Sequence, residues 1–129
     1  MNGLFAVAIW DRAERRLFLA RDRLGVKPLD YPEANGGLLF ASALTPLRQS
    51  GVNALQIDLR SVADLLAYSY ICEPKTIFEG VRQLEPGHFM LIDERSTRTV
   101  RWWRVPTEGE VDISYREARE ELASLLRDA

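Results

Sequence analysis

Cysteine and histidine are nearly missing from this sequence: one of each stands in 129 residues. Cys72 therefore has no partner for an intramolecular disulfide, and a Cys/His metal site would have only His88 to recruit beside it. The cytosol is the compartment that this usage points to. An excess of charge of one sign is lacking too, since 17 Lys and Arg stand against 19 Asp and Glu for a net charge of −2. The basic residues are scattered, which argues against nucleic acid as a partner. No apolar run approaches the roughly 20 residues of a membrane span. The apolar start from Gly3 to Trp10 has no basic run before it and ends in Asp11, so it reads as a strand and not as a signal peptide. Internal repeats and low-complexity segments are absent as well.

What is present is the composition of a globular protein: 47% hydrophobic and 28% charged, which sets disorder aside. A chain of this length is expected to form one domain around one core. Leu4 to Trp10 is unbroken and rich in β-formers, and after the polar turn Asp11 to Glu14 comes a second run, Leu17 to Ala20. The pair predicts a β-hairpin. Because the first run does not alternate, its strand is expected to be covered on both faces. Arg21 to Pro28 is a loop with a glycine able to take positive φ and a proline that holds Lys27 extended. Asn35-Gly36-Gly37 predicts a hairpin turn placing Leu29 to Tyr31 opposite Leu38 to Ala41.

From Asp58 to Tyr70 the period becomes helical, with Val62, Leu65 and Leu66 on one face and Asp58 or Ser61 as N-cap. Pro74 marks a loop. Pro86-Gly87 then introduces a strand from His88 to Ile92, and Asp93 to Ser96 turns the chain into another strand ending at Trp102-Trp103. A last helix is opened by the capping box Ser114 with Glu117 and carries Ala118, Leu122, Leu125 and Leu126 on one face. Pro106 to Gly109 reads as a linker between this helix and an α+β body made mainly of antiparallel strands.

The segments NGLFAVAIWD (2 to 11), LFLARDRLGVKPL (17 to 29), LLFAS (38 to 42), KTIFEGVRQLEPGH (75 to 88) and RWWRVP (101 to 106), in this order, resemble the asparagine synthetase family over nearly the whole chain. The resemblance implies a partial class II glutamine amidotransferase fold, an αββα sandwich of the N-terminal nucleophile type. It also implies a parent enzyme that hydrolyses glutamine and passes the ammonia to an aspartate activated as its AMP ester, with ATP and magnesium serving a second, synthetase domain. On this reading residues 1–105 are the C-terminal half of the glutaminase domain, and 106–129 are a linker and first helix leading toward the synthetase domain.

Family chemistry requires a thiol at the first residue of the mature chain, its own α-amino group as base and an Asn-Gly segment as oxyanion donor. An arginine and an aspartate hold the substrate. All of these belong to the first half of the domain, so no catalytic, substrate-binding or metal residue is assigned here, and the chain by itself is expected to be inactive. Asn2-Gly3 opens the strand that follows and does not match the oxyanion pair. Cys72 is internal and is read as inert. The phosphate-binding loop of the synthetase is a Ser-Gly-Gly-x-Asp-Ser motif, which Gly36-Gly37 does not match, so no cofactor is expected on this chain.

Arg21, Asp22 and Gly25 carry the family signature. They are read as a conformationally demanding turn with a local ion pair, against the alternative that they shape the glutaminase site or its domain interface. Asp30 departs from the family, where an aromatic is usual before Tyr31, and Ala43-Leu44-Thr45 replaces charged residues. His88 is read as a partly exposed structural residue. Trp102 and Trp103 are expected to pack at the sheet edge or against the last helix. With both faces of Leu4 to Trp10 apolar and much of their cover expected from an absent half, the chain is expected to self-associate or to dock a complementary segment; no membrane or nucleic-acid partner is expected.

Overall fold

The computed structural model describes residues 2–32, 39–51, 56–107 and 112–128. The fold is α+β. Strands β1 (Ala6–Asp11), β2 (Arg16–Arg21), β5 (His88–Ile92) and β6 (Thr97–Arg101) form an antiparallel sheet in the order β1-β2-β5-β6, and β3 (Asp30–Pro32) pairs with β4 (Val81–Gln83) in a second, two-stranded sheet. Helices α1 (Leu44–Gln49), α2 (Leu59–Tyr68) and α3 (Tyr115–Asp128) complete it.

The expected first hairpin is present, and its turn is held by Asp11, whose Oδ1 accepts from the amides of Ala13 at 2.9 Å and Glu14 at 3.1 Å. Asp93 does the same between β5 and β6, accepting from Arg95 and Ser96 at 2.8 Å each. Strand β6 ends at Arg101, opposite His88, and not at the tryptophans. The amides of Trp102 and Trp103 both turn to the Gly87 carbonyl, at 2.8 and 3.2 Å, so the ladder has no donors left to continue.

Cross-strand partners share a face of the sheet. The row Ala8, Leu19, Met90, Thr99 lies on one side, and the rows Val7, Ala20, Phe89, Val100 and Ile9, Phe18, Leu91, Arg98 lie on the other. On the first side Leu19 and Met90 meet Leu29 and Leu84, with Leu17, Tyr31, Phe40 and Ile92 packed around them. This is the core, and each fully buried side chain in it contributes about 1.5–3 kcal/mol. Among the described residues the second side has no helix upon it: α1 packs on β3, and neither α2 nor α3 packs on any strand. The expectation that β1 is covered on both faces is therefore not met, and Ile9 and Trp10 are more than half exposed.

Helix α2 starts where its cap requires. Asp58 accepts from the Arg60 amide at 2.9 Å and from the Ser61 hydroxyl at 2.9 Å, and Ser69 closes the helix in the left-handed conformation, earlier than Tyr70. The helix rests on the Lys75 to Phe78 segment through the Lys75–Asp64 ion pair and the Asp58 amide on the Ile77 carbonyl. Its expected apolar face is not buried: Leu65 and Leu66 are exposed, and Ser61 is the residue that is enclosed. Helix α3 has its capping box, with the Ser114 amide 2.9 Å from Glu117 Oε2 and the Glu117 amide 3.3 Å from Ser114 Oγ. Helix α1 and strand β4 were not legible in the sequence, because α1 is six residues without a side-chain cap and β4 is three. The Asn35-Gly36-Gly37 turn, together with Leu38, Glu108 and Gly109, lies outside the described residues. The pairing expected from that turn is present at one point, the bridge between Asp30 and Ala41.

Candidate functional site

After the apolar run Leu17 to Ala20, β2 closes on Arg21 and Asp22 follows it; both charges are buried, Arg21 at 2% and Asp22 at 1% exposed. A buried guanidinium must find partners for its donors. Arg21 Nε donates to the Lys27 carbonyl at 2.8 Å, Nη1 to Leu84 at 2.6 Å and Nη2 to Gly25 at 2.5 Å. Nη2 also pairs with Glu73 Oε1 at 2.9 Å. The ion pair of Arg21 is thus with Glu73, across the fold, and not the local one expected with Asp22. The partner was not legible because nothing in the periodicity brings residue 73 to residue 21; the only sign was a charged pair closing an apolar strand.

Asp22 holds the same loop from its other side. Its Oδ1 accepts from the amides of Leu24 and Val26 at 3.1 Å each, and Oδ2 from Lys27 at 3.0 Å. Burial pushes this carboxyl up, but the amides of Lys27, Val26 and Leu24 outweigh it and hold the group below its ordinary range. Its backbone is equally engaged, donating to Phe5 and accepting from Gly25 and Gly87.

Gly25 sits inside this ring of bonds at φ +68°, where a Cβ would stand 2.7 Å from Pro86 Cγ and 2.9 Å from the Arg21 guanidinium carbon. Gly87, at φ +65°, lies under Trp103, whose carbonyl oxygen would be 2.6 Å from a Cβ. Only glycine fits both places. The signature loop Arg21, Asp22, Gly25 is therefore a backbone clamp fastening the loop after β2 to the Leu84 to Gly87 segment.

Asp30 adjoins this clamp. Its backbone pairs with Ala41 in both directions, at 2.7 and 2.9 Å, and with Gln83 across β4. The carboxyl is 2% exposed, and its Oδ1 has no hydrogen-bond partner among the described residues. Burial raises it above the ordinary carboxylate range; a hydrogen bond with the Gln83 side chain and the charge of Arg21 oppose that, and the charge of Glu73 adds to it. In this sequence a buried acid thus stands where an aromatic side chain was expected.

The remaining candidates are dispersed. Cys72 is half-buried in the segment after α2, and its thiol engages the Tyr70 hydroxyl, which raises the Tyr70 pKa. His88 is buried, and not partly exposed, with Nδ1 donating to the Pro86 carbonyl at 2.8 Å. Trp102 stacks on Phe5 with ring centres 6.2 Å apart, and the Arg23 guanidinium lies 6.0 Å over Trp103. Trp102 therefore packs at the sheet edge and not against α3. Together with Val7, Ile9, Phe18 and Phe89, the Phe5–Trp102 pair lines an apolar trough of about 600 Å³ on the uncovered sheet face.

A profile of the glutamine amidotransferase domain matches residues 1–103. The chain belongs to that family. It is 31% identical over 130 residues to glutamine-hydrolysing asparagine synthetase 3 of Bacillus subtilis, covering 100% of this chain and 21% of that protein. It is 33% identical over 87 residues to asparagine synthetase 1 of the same organism, covering 67% and 14%. Amidase chyE of Penicillium rubens is 32% identical over 104 residues, covering 79% of this chain and 15% of that protein. The chain thus spans about a fifth or less of the length of these curated relatives.

In this amidotransferase domain the N-termini of the two capped helices, α2 and α3, are already occupied. Helix N-termini hold phosphate through free amides and the positive end of the dipole. Those of α2 and α3 are occupied by the carboxylates of Asp58 and Glu117. Both carboxyls lie below their ordinary range, Asp58 chiefly through the Ser61 hydroxyl and Glu117 through Ser114, so each is an anion that repels another. No group of three or more His, Cys, Asp or Glu is placed to hold a metal among the described residues. No described helix is long and apolar enough to cross a membrane.

Proposed function

We propose that this chain is the C-terminal half of the glutaminase domain of an asparagine synthetase-like amidotransferase and serves as its scaffold without hydrolysing glutamine itself. The observation that carries this reading is the clamp. The charged groups of Arg21 and Asp22 are spent on the protein's own backbone or on Glu73, so neither is directed at a substrate. In the parent reaction glutamine supplies ammonia for the ATP- and magnesium-dependent amidation of aspartate, in the cytoplasm, where a lone thiol stays reduced. The catalytic thiol, its amine and the nucleotide site belong to other segments of that enzyme.

The uncovered apolar sheet face favours a second reading of the same scaffold, as a complementation module that docks a partner bearing the missing half of the sandwich. The test is ammonia release from glutamine by the chain alone, by the chain fused behind the N-terminal half of a relative's glutaminase domain, and by the two halves mixed. Release is expected only when the other half is present, and activity in the mixture supports docking. Release by the chain alone that disappears in Cys72→Ala would overturn the proposal.

A further inference from the structure

Two apolar surfaces of this chain lack a partner among the described residues. One is the trough on the open sheet face, and the other is α3, which packs on no other element. Along α3 the side chains of Tyr115, Leu122, Leu125 and Leu126 are each more than half exposed. Steps of three and four residues place them, with Ala118, on one stripe of the helix. A helix of 14 residues is marginal in water unless such a stripe is buried, and the capping box secures only its first turn.

We propose that α3 of a second copy of this chain fills the trough, and that two copies exchange these helices reciprocally. The dimensions agree. Fourteen residues of helix are about 21 Å long, and the trough runs from β1 to Trp102 after β6, three strand spacings or about 14 Å. Its floor holds the methyl group of Ala20, with Phe18 and Phe89 beside it 5.5 Å apart and the Phe5–Trp102 stack as a wall. A small side chain among rings is where a leucine of a facing helix interdigitates. The charges agree as well. On the trough side the row Ile9, Phe18, Leu91 ends at Arg98, which is exposed. On α3, Glu121 lies three residues after Ala118 and four before Leu125, so it borders the stripe. Neither charge has an ion pair among the described residues. Opposite charges at the rims of two apolar surfaces fix the direction in which the helix lies. The cover comes from another copy because α3 does not meet its own sheet. The chain from Trp103 to Ser114 reaches up to about 40 Å when extended, enough to cross to a neighbour. Exchange in both directions closes at two copies and doubles the buried area, toward the about 1,200–2,000 Å² of a stable interface.

This pairing does not depend on the proposed function, since its readout is mass and not ammonia. The test is sedimentation of the full chain over a range of concentrations, with far-ultraviolet circular dichroism on the same samples. A dimer whose helix content rises with association is expected. Leu122→Lys and Leu125→Lys lie on a helix that touches no other element, so the body folds with them. Each is expected to weaken the dimer about tenfold or more, as loss of a buried leucine does. Glu121→Arg and Arg98→Glu are each expected to raise the dimer Kd about fivefold, the upper range of an exposed ion pair, and the two together to restore it. A chain that stays monomeric at high micromolar concentration overturns the proposal, whether α3 is then free or folded on its own sheet. Species larger than a dimer overturn the reciprocal exchange. Association that Leu122→Lys leaves unchanged means that sheet faces stack on each other and overturns it too, as does a double charge variant no tighter than the single ones.

Discussion

Arg21 Nη1 meets the Leu84 carbonyl at 2.6 Å, joining the end of β2 to a residue 63 positions later in the chain. Through that bond and the contacts of the same guanidinium with Gly25, Lys27 and Glu73, the loop after β2, the Glu73 segment before β4 and the entry to β5 become one structural unit. Replacing Arg21 by Met would leave three backbone carbonyls and Glu73 without their partner. The expected loss is about 3–5 kcal/mol, the range for breaking a buried charge network. Arg21→Lys should recover only part of it, because an ammonium lacks the planar fork. Urea unfolding of both variants followed by tryptophan fluorescence checks the order.

Gly25→Ala and Gly80→Ala separate strain from crowding. Both glycines have positive φ, +68° and +69°, but a Cβ at Gly25 meets Pro86 and Arg21 whereas one at Gly80 meets nothing within 4 Å. Gly80→Ala should cost about 1–2 kcal/mol for the left-handed backbone. Gly25→Ala should cost about 1–3 kcal/mol more for the overpacking. Equal losses in thermal or urea melts would remove the case for a close approach at Gly25.

The two buried aspartates should respond to pH in opposite senses. Asp22 is held low in the folded chain, burial being outweighed by the loop amides. Its stabilising contribution is therefore present above the unfolded-state pKa and is lost as pH falls through the folded one. Asp22→Asn should be less stable at neutral pH, with a shallower loss of stability on acidification. Asp30 is raised, chiefly by burial. Its contribution is present below the unfolded-state pKa and is lost as pH rises through the folded one. Asp30→Asn should accordingly gain stability at neutral pH and lose that advantage in acid. Urea midpoints measured across pH for both variants check the two signs.

The apolar trough should make the chain self-associate when no partner covers it. Ile9, 58% exposed, is the most exposed of its large apolar lining residues and lies on an edge strand. A charged side chain there disfavours both face and edge contacts. Ile9→Lys should reduce concentration-dependent light scattering and the binding of a hydrophobic dye together. A wild-type chain that stays monomeric at high micromolar concentration without binding dye would show that the face is covered.

Local chemistry in the sequence determined the two hairpin turns, the Asp58 and Ser114 caps and the strands around Leu19 and Met90, because each depends on residues a few positions apart. The family was legible for the same reason, in contiguous segments such as Arg21 to Leu29. Tertiary structure alone decided the partner of Arg21, the orphan oxygen of Asp30, the burial of His88 and the uncovered side of the sheet. A charge closing an apolar strand announces that it needs a partner, but which partner depends on how Glu73 and Leu84 are carried back across the core. Likewise, alternation tells that Val7 and Ile9 share a face, while whether any helix lies on that face depends on packing between elements far apart in the chain.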